Sequence, residues 1–340
     1  MNKQMESILQ RIEVEYNLSS TTPGYACIVH KDGRKVFERC SGKQDETRRS
    51  LSEESVFRIA SITKQFTAAA ILQLVEQRKV SLQQNITTII PELPTYCEGI
   101  NFHHLLTHTS GIRNYDGAKN LDTVAPFSDT DVLYALNQFG DLEFESGSSY
   151  RYSNAGYCLL ALAIAKISGT SYKEYLKKNI FEVASMQSAQ VGTVPEITNR
   201  VYGYSWEKDN WAEHDQDTFT HTEGDGGIYA SANELIKWQT ALYEKKSMIS
   251  ESTLELMTTS HTATNYEGEE YGYGVAVTTI NPVRCYLHHG VSSGFENALF
   301  YIPDLRTSIV LLSNIRHPGF NTMPLGKKII SSYLGQKNTF

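Results

Sequence analysis

"FRIASITKQFTAAAILQLVEQRK" (57–79) couples an apolar helix to two reactive side chains. The spacing predicts a helix over 62–79: Phe66, Ala69, Ala70 and Leu74 recur on one face, and Ile71, Leu72 and Val75 widen it. Such a helix has to pack against the rest of the protein. Yet it opens with Ser61 and Lys64, a hydroxyl and an amine one turn apart on the same side. Ser61 falls in the first turn, where unpaired backbone N–H groups and the positive end of the helix dipole help hold an oxyanion. A lysine beside it, partly desolvated, has a lowered pKa and can take the serine proton. Ser61 then reads as a nucleophile and Lys64 as its base. Alone, the pair reads equally as a helix cap with a solvated lysine, since serine is a favoured cap residue. A second Ser-x-x-Lys, Ser205-Trp206-Glu207-Lys208, lies in polar, charged sequence and is taken as chance.

Outward from this helix, strands gather at the two ends of the chain. Residues 24–42 form two alternating runs around Lys31-Asp32-Gly33-Arg34, and Asp-Gly is a strong hairpin signal. Strands are also expected at 273–280 and 285–290, separated by Asn281-Pro282, and at 296–303 and 307–314. Helices are expected at 102–108, 129–138, 155–168, 171–184, 232–245 and 322–335, with 185–225 a long polar loop. The first twenty residues read as a short amphipathic helix with Ile8, Ile12 and Val14 inward. The fold class is therefore α+β, a sandwich of sheet and helices. One antiparallel sheet joins N-terminal and C-terminal strands, terminal helices flank it, and a mostly helical region is inserted. Residues 1–80 and 265–340 would form the sheet region and 81–264 the insertion, together one catalytic unit with its site in the cleft between.

Bulk properties narrow the function. The 340 residues are 40% hydrophobic with net charge -7, and no basic run exceeds two residues, so a nucleic-acid partner is not expected. No apolar stretch reaches the roughly 18 residues of a membrane span. As it stands the chain is expected in the cytoplasm, or outside it if an export signal was trimmed. Five widely spaced cysteines argue for reduced thiols rather than a disulfide framework or zinc site. No cofactor or metal is expected, and oligomeric state is not readable.

Two further motifs add chemistry. Tyr152-Ser153-Asn154, the chain's one Tyr-x-Asn, precedes an apolar helix, so a phenol and an amide can point the same way. His288-His289-Gly290 ends an expected strand, and the glycine would let a substrate approach its backbone. In this order the three motifs resemble those of the serine hydrolases that include class C β-lactamases, D-alanyl-D-alanine carboxypeptidases, D-amino-acid amidases and related esterases. That family, with its penicillin-binding-protein-like, β-lactamase/transpeptidase-like fold, carries Ser-x-x-Lys, Tyr-x-Asn and Lys/His-x-Gly. The phrases "HLLTHTSGI" (104–112), "GDGGIYASANEL" (224–235) and "YIPD...SIVLLSN" (301–314) also match, and the resemblance covers roughly 22–335.

The resemblance implies an acyl-enzyme on Ser61, with Lys64 and Tyr152 sharing the base work and Tyr152 passing a proton to the leaving group. Asn154 would hold Lys64 or a substrate amide, and His288 would stand where many β-lactamases have lysine. The N–H groups of Ser61 and Val291 would form the oxyanion hole. Members that bind a substrate carboxylate usually carry hydroxyl residues where this chain has His289 and Val291. Either histidine would remain available as a cationic donor at mildly acidic pH. The expectation is an ester or amide hydrolase acting on a small molecule or peptide. A D-Ala carboxypeptidase, a D-aminopeptidase or β-lactamase, and a non-catalytic binding or assembly module are the alternatives.

Two other patterns compete. His104 and His108 mimic a metal pair, but no glutamate follows His104, so they read as a structural turn. Gly290-Val291-Ser292-Ser293-Gly294 fits a nucleophile elbow, with Asp304 and His317 following. That elbow needs a strand-turn-helix, and here another strand follows. Gly226-Gly227 reads as close backbone packing or a tight turn.

Overall fold

Alternation in the two terminal segments becomes two-sided burial in the computed structural model, which describes residues 2–119, 126–193, 196–280 and 282–335. Asn281, expected between two strands, lies outside them. In chain order, α1 (Asn2–Glu15) leads into the hairpin β1 (Tyr25–Lys31) and β2 (Arg34–Ser41), then β3 (Val56–Arg58). A 3-10 turn over Ala60–Ile62 opens α2 (Thr63–Glu76). The helical middle holds α3 (Phe102–Leu106), α4 (Asp129–Phe139), α5 (Asn154–Ser168) and α6 (Tyr172–Leu176), which runs through a wide turn into α7 (Glu182–Ala184). Then come β4 (Gln190–Val191), β5 (Tyr204–Glu207), β6 (Asn210–Glu213), β7 (Ile228–Ser231), α8 (Ala232–Gln239) and α9 (Glu251–Thr258). The C-terminal part holds β8 (Thr262–Ala263), β9 (Glu269–Tyr271), β10 (Ala276–Ile280), β11 (Val283–Ser292), β12 (Phe295–Ile302), β13 (Thr307–Ser313), β14 (Ile315–Arg316) and α10 (Thr322–Leu334).

The main sheet is antiparallel throughout, in the order β2-β1-β13-β12-β11-β10-β9-β8. N-terminal and C-terminal strands thus meet at β1 and β13, as the sequence predicts. Successive strand residues face opposite sides, so a sheet covered on both faces needs apolar residues at both parities. Ile309 and Leu311 of β13 join Met5, Leu9, Ile329 and Ile330 under the terminal helices. Val310 and Leu312 join Phe66, Trp238 and the middle helices. Among the described residues no helix is long and apolar enough to cross a membrane.

Three local readings are corrected. Val14 is 83% exposed, whereas Met5 and Leu9 are fully buried with Ile8 and Ile12 packed beside them. The inner stripe runs 5, 8, 9, 12, and Val14 sits on the far side of the turn. The stretch 185–225 is not all loop: β5 and β6 form a hairpin whose turn residues Lys208 and Asp209 both take left-handed φ (47° and 60°). That turn lacks the glycine that usually announces it. Finally, α2 is enclosed on nearly every side, with Lys64, Gln65 and Thr67 buried along with its apolar face. All five cysteines are free thiols, and only Cys40 is partly exposed.

Candidate active site

The head of α2 is built under constraint. Ala60, just before Ser61, has φ 49°, a region a side-chain-bearing residue enters at a cost of about 1–3 kcal/mol. Ser61 lies inside the 3-10 turn and caps nothing: the side chains at its cap and at that of α2 make no capping hydrogen bond. Its hydroxyl instead meets Lys64, whose Nζ donates to Ser61 Oγ (3.0 Å), Asn154 Oδ1 (2.9 Å) and the Asp225 carbonyl (2.7 Å). The solvated-lysine reading is thereby excluded, because Lys64 is fully buried. Burial pulls its pKa down to about 8, with Asp225 and Cys158 opposing the fall.

Tyr152 faces the same pair. Its hydroxyl is within hydrogen-bonding reach of Ser61, and burial pushes its phenol up. Its ring lies 4.8 Å under the Lys64 ammonium and 4.3 Å from the His108 ring. His108 Nδ1 accepts the Ser153 N–H (3.0 Å), and His104 completes a capping box on α3, so both histidines shape the wall of the cleft. Asn154 is the first residue of α5. The Asn114 Oδ1 accepts the N–H groups of Asn154 (2.8 Å) and Ala155 (3.3 Å), fixing the start of that helix from a loop forty residues earlier. Sequence reasoning missed Asn114.

The third motif comes in differently from its expectation. His288 is buried; its Nε2 pairs with Tyr271 Oη (2.9 Å) and its Nδ1 with the His289 carbonyl (2.8 Å). Burial and the nearby Lys64 drive its pKa down to about 3, so it stays neutral at mildly acidic pH. His289 belongs to the opposite face of β11, where its Nε2 lies 3.5 Å from Glu296 Oε1. Val291 shares that parity and is partly exposed. The expected cationic donor is therefore absent from both histidines at the Ser61 side of the strand. The place of a Gly290 Cβ is taken by the Ile59 carbonyl oxygen, 2.2 Å away, so the missing side chain lets the Ser61 turn press onto β11.

The backbone of β11 has an open edge here. Its ladder with β10 stops at Ala276↔Leu287, so residues 288–292 pair only with β12 among the described residues. The two-residue turn after Ser292 closes on Ser292↔Phe295, and antiparallel pairs alternate between hydrogen-bonded and not. The Val291 N–H therefore points to the open edge. A cavity of about 300 Å³ opens beside Tyr152, walled by Arg113, Asn114, Asp116, Phe139, Glu143 and Arg151. A larger, shallower depression of about 1060 Å³ follows β8–β10 around Tyr266 and Arg284 and touches none of the three motifs.

The rival elbow fails on context. Ser292 ends a strand, β12 follows the turn, and Ser292 Oγ accepts from Arg58 Nε (3.1 Å). Ser292→Ala is expected to keep turnover within about tenfold of wild type, measured on the same ester as the parent; loss of all turnover would move the nucleophile to Ser292.

Comparison with known proteins agrees with this arrangement. A family model described as Beta-lactamase matches residues 9–329. Penicillin-binding protein 4* of Bacillus subtilis (strain 168) is 27% identical over 330 residues, 92% of this chain and 71% of that protein. A D-aminopeptidase of Gluconobacter oxydans (strain 621H) is 26% identical over 301 residues, 86% of this chain; the chain spans only 56% of that protein's length. An octameric penicillin-binding protein homologue from Pyrococcus abyssi superposes with TM-score 0.88 at 27% identity, covering 98% of this chain and 77% of that one.

Proposed function

The chain belongs to the β-lactamase family, and on that premise we propose that it is a serine hydrolase that forms an acyl-enzyme on Ser61 from an ester or amide substrate. One observation carries the reading: a buried, charge-starved Lys64 with its Nζ on the Ser61 hydroxyl. With a pKa near 8, roughly a tenth of Lys64 is neutral at pH 7. Neutral Lys64 takes the Ser61 proton as Oγ attacks the carbonyl carbon. The N–H groups of Ser61 and Val291 receive the oxyanion. Tyr152, whose phenol burial keeps protonated, gives a proton to the departing alcohol or amine and is reprotonated from Lys64. Water then attacks the acyl ester by the same route in reverse, releasing the acid and restoring Ser61. Asn154 and the Asp225 carbonyl hold Lys64 in line throughout.

The third motif bears on the substrate. A neutral, doubly bonded His288 and an outward His289 leave no cation there for a carboxylate. Substrates uncharged at that end, neutral esters and amides, are favoured over those bearing a C-terminal carboxylate. Two esters of the same leaving group, one neutral and one carrying a carboxylate next to the acyl carbonyl, test this. The neutral ester is expected to have at least about tenfold higher kcat/KM, the scale of one lost charge contact; equal or inverted values would refute it.

A further inference from the structure

Beneath Lys64 lies a group that the mechanism has so far used only through its backbone. Asp225 sits in the loop before β7, pressed against α5: a Cβ on neighbouring Gly224 would fall 2.4 Å from the Tyr157 carbonyl, and one on Gly227 2.6 Å from Glu223 Cα. The loop is also tied to α4, where the Asp129 carboxyl accepts the N–H groups of Glu223 (2.9 Å) and Gly224 (3.1 Å). This places the Asp225 side chain, 5% exposed, in the protein interior. Tyr115 Oη donates to its Oδ2 (3.0 Å), and its Oδ1 has no hydrogen-bond partner. Ligand atoms of Asp129, Cys158 and Asp225 lie within 4.8 Å of one another.

A buried carboxylate with an unsatisfied oxygen is costly unless a cation balances it. The groups around Lys64 leave one pairing. From α5 come Tyr157 and Cys158, from the preceding loop Tyr152, from α4 Asp129, from the turn after α3 His108, from the Tyr115 turn a phenol, and from β11 His288. His108 and His288 are held neutral by burial. The thiol of Cys158, the carboxyl of Asp129 and the phenols of Tyr115, Tyr152 and Tyr157 are all pushed up and keep their protons. Asp225 remains as the counter-charge to the ammonium.

We propose, building on the assignment of Lys64 as base, that Asp225 is a positioning residue acting through Lys64: its carbonyl fixes the amine on Ser61, and its carboxylate sets the pH at which that amine gives up its proton. The carboxylate keeps Lys64 protonated to higher pH than burial alone would allow. This retains a proton to return to Tyr152 in the second half of the cycle.

The test is direct titration of the Lys64 side chain by NMR in full-length protein labelled with ¹³C,¹⁵N-lysine, its signal assigned by its loss in Lys64→Arg. In Asp225→Asn the Lys64 midpoint is expected to fall by about one pH unit or more, the scale of one close opposite charge. The acidic limb of kcat/KM for a neutral ester should move down with it. Asp225→Ser, smaller and uncharged, makes the same prediction if the Asn variant does not fold. A midpoint unchanged in a folded variant overturns the proposal. A midpoint that moves while the kinetic limb stays supports the role of Asp225 and instead refutes Lys64 as the base.

Discussion

Ser61→Ala is expected to abolish turnover, by about 10⁴-fold or more in kcat, while the protein folds normally. The alanine removes only the oxygen that bonds to the acyl group. Ser61 caps neither the turn nor α2, so its hydroxyl is not holding the helix together. The one hydrogen bond lost is that from Lys64, which keeps Asn154 and Asp225 as partners. Circular dichroism should superpose on wild type, and no serine-directed reagent should add mass at this position. Residual activity within tenfold of wild type would remove Ser61 from the chemistry.

Lys64→Met is expected to lower kcat by about two to four orders of magnitude, the usual worth of a general base. A loss under tenfold would shift the base role to Tyr152. The same substitution has a stability signature with a definite sign. Lys64 has a folded pKa near 8 against 10.5 for the model value. Below pH 8 both folded and unfolded chains carry the proton, and the burial cost is constant. Between pH 8 and 10.5 only the unfolded chain holds it, so folding stability rises with pH. Relative to Lys64→Met, wild type should therefore gain about 3 kcal/mol across that window, at about 1.4 kcal/mol per unit. Denaturant melts of both proteins at pH 7 and pH 10.5 read the difference. An unchanged difference would mean that Lys64 is not charge-starved.

How much of this was legible in the sequence depended on how far apart the partners lie. Ser61 and Lys64 are one turn apart, so a local period finds them. The β1–β2 and C-terminal strands announce themselves by alternation. Asn114 and Asp225 are different: Asn114 meets Asn154 across 40 residues and Asp225 meets Lys64 across 161. No local period carries such pairings, and the phrase "GDGG" drew attention to its glycines while its aspartate held the electrostatics. The orientation of the third motif was available but unused. Strand parity alone puts His289 and Val291 on the face opposite His288 and Gly290. Burial, which settles that His288 stays neutral, required the packed neighbours Tyr271 and Lys64. Val14 shows the converse error: an apolar residue near an apolar stripe, two positions off its phase and exposed.

The central claim, that Ser61 is an activated nucleophile, is tested most directly by the mass of the intact protein after exposure to a fluorophosphonate, followed by peptide mapping. The arrangement of Lys64, Tyr152 and Ser61 predicts a single adduct on Ser61 that forms faster as pH rises toward 8 and is absent from Ser61→Ala. No adduct, or an adduct on Ser292, would contradict it.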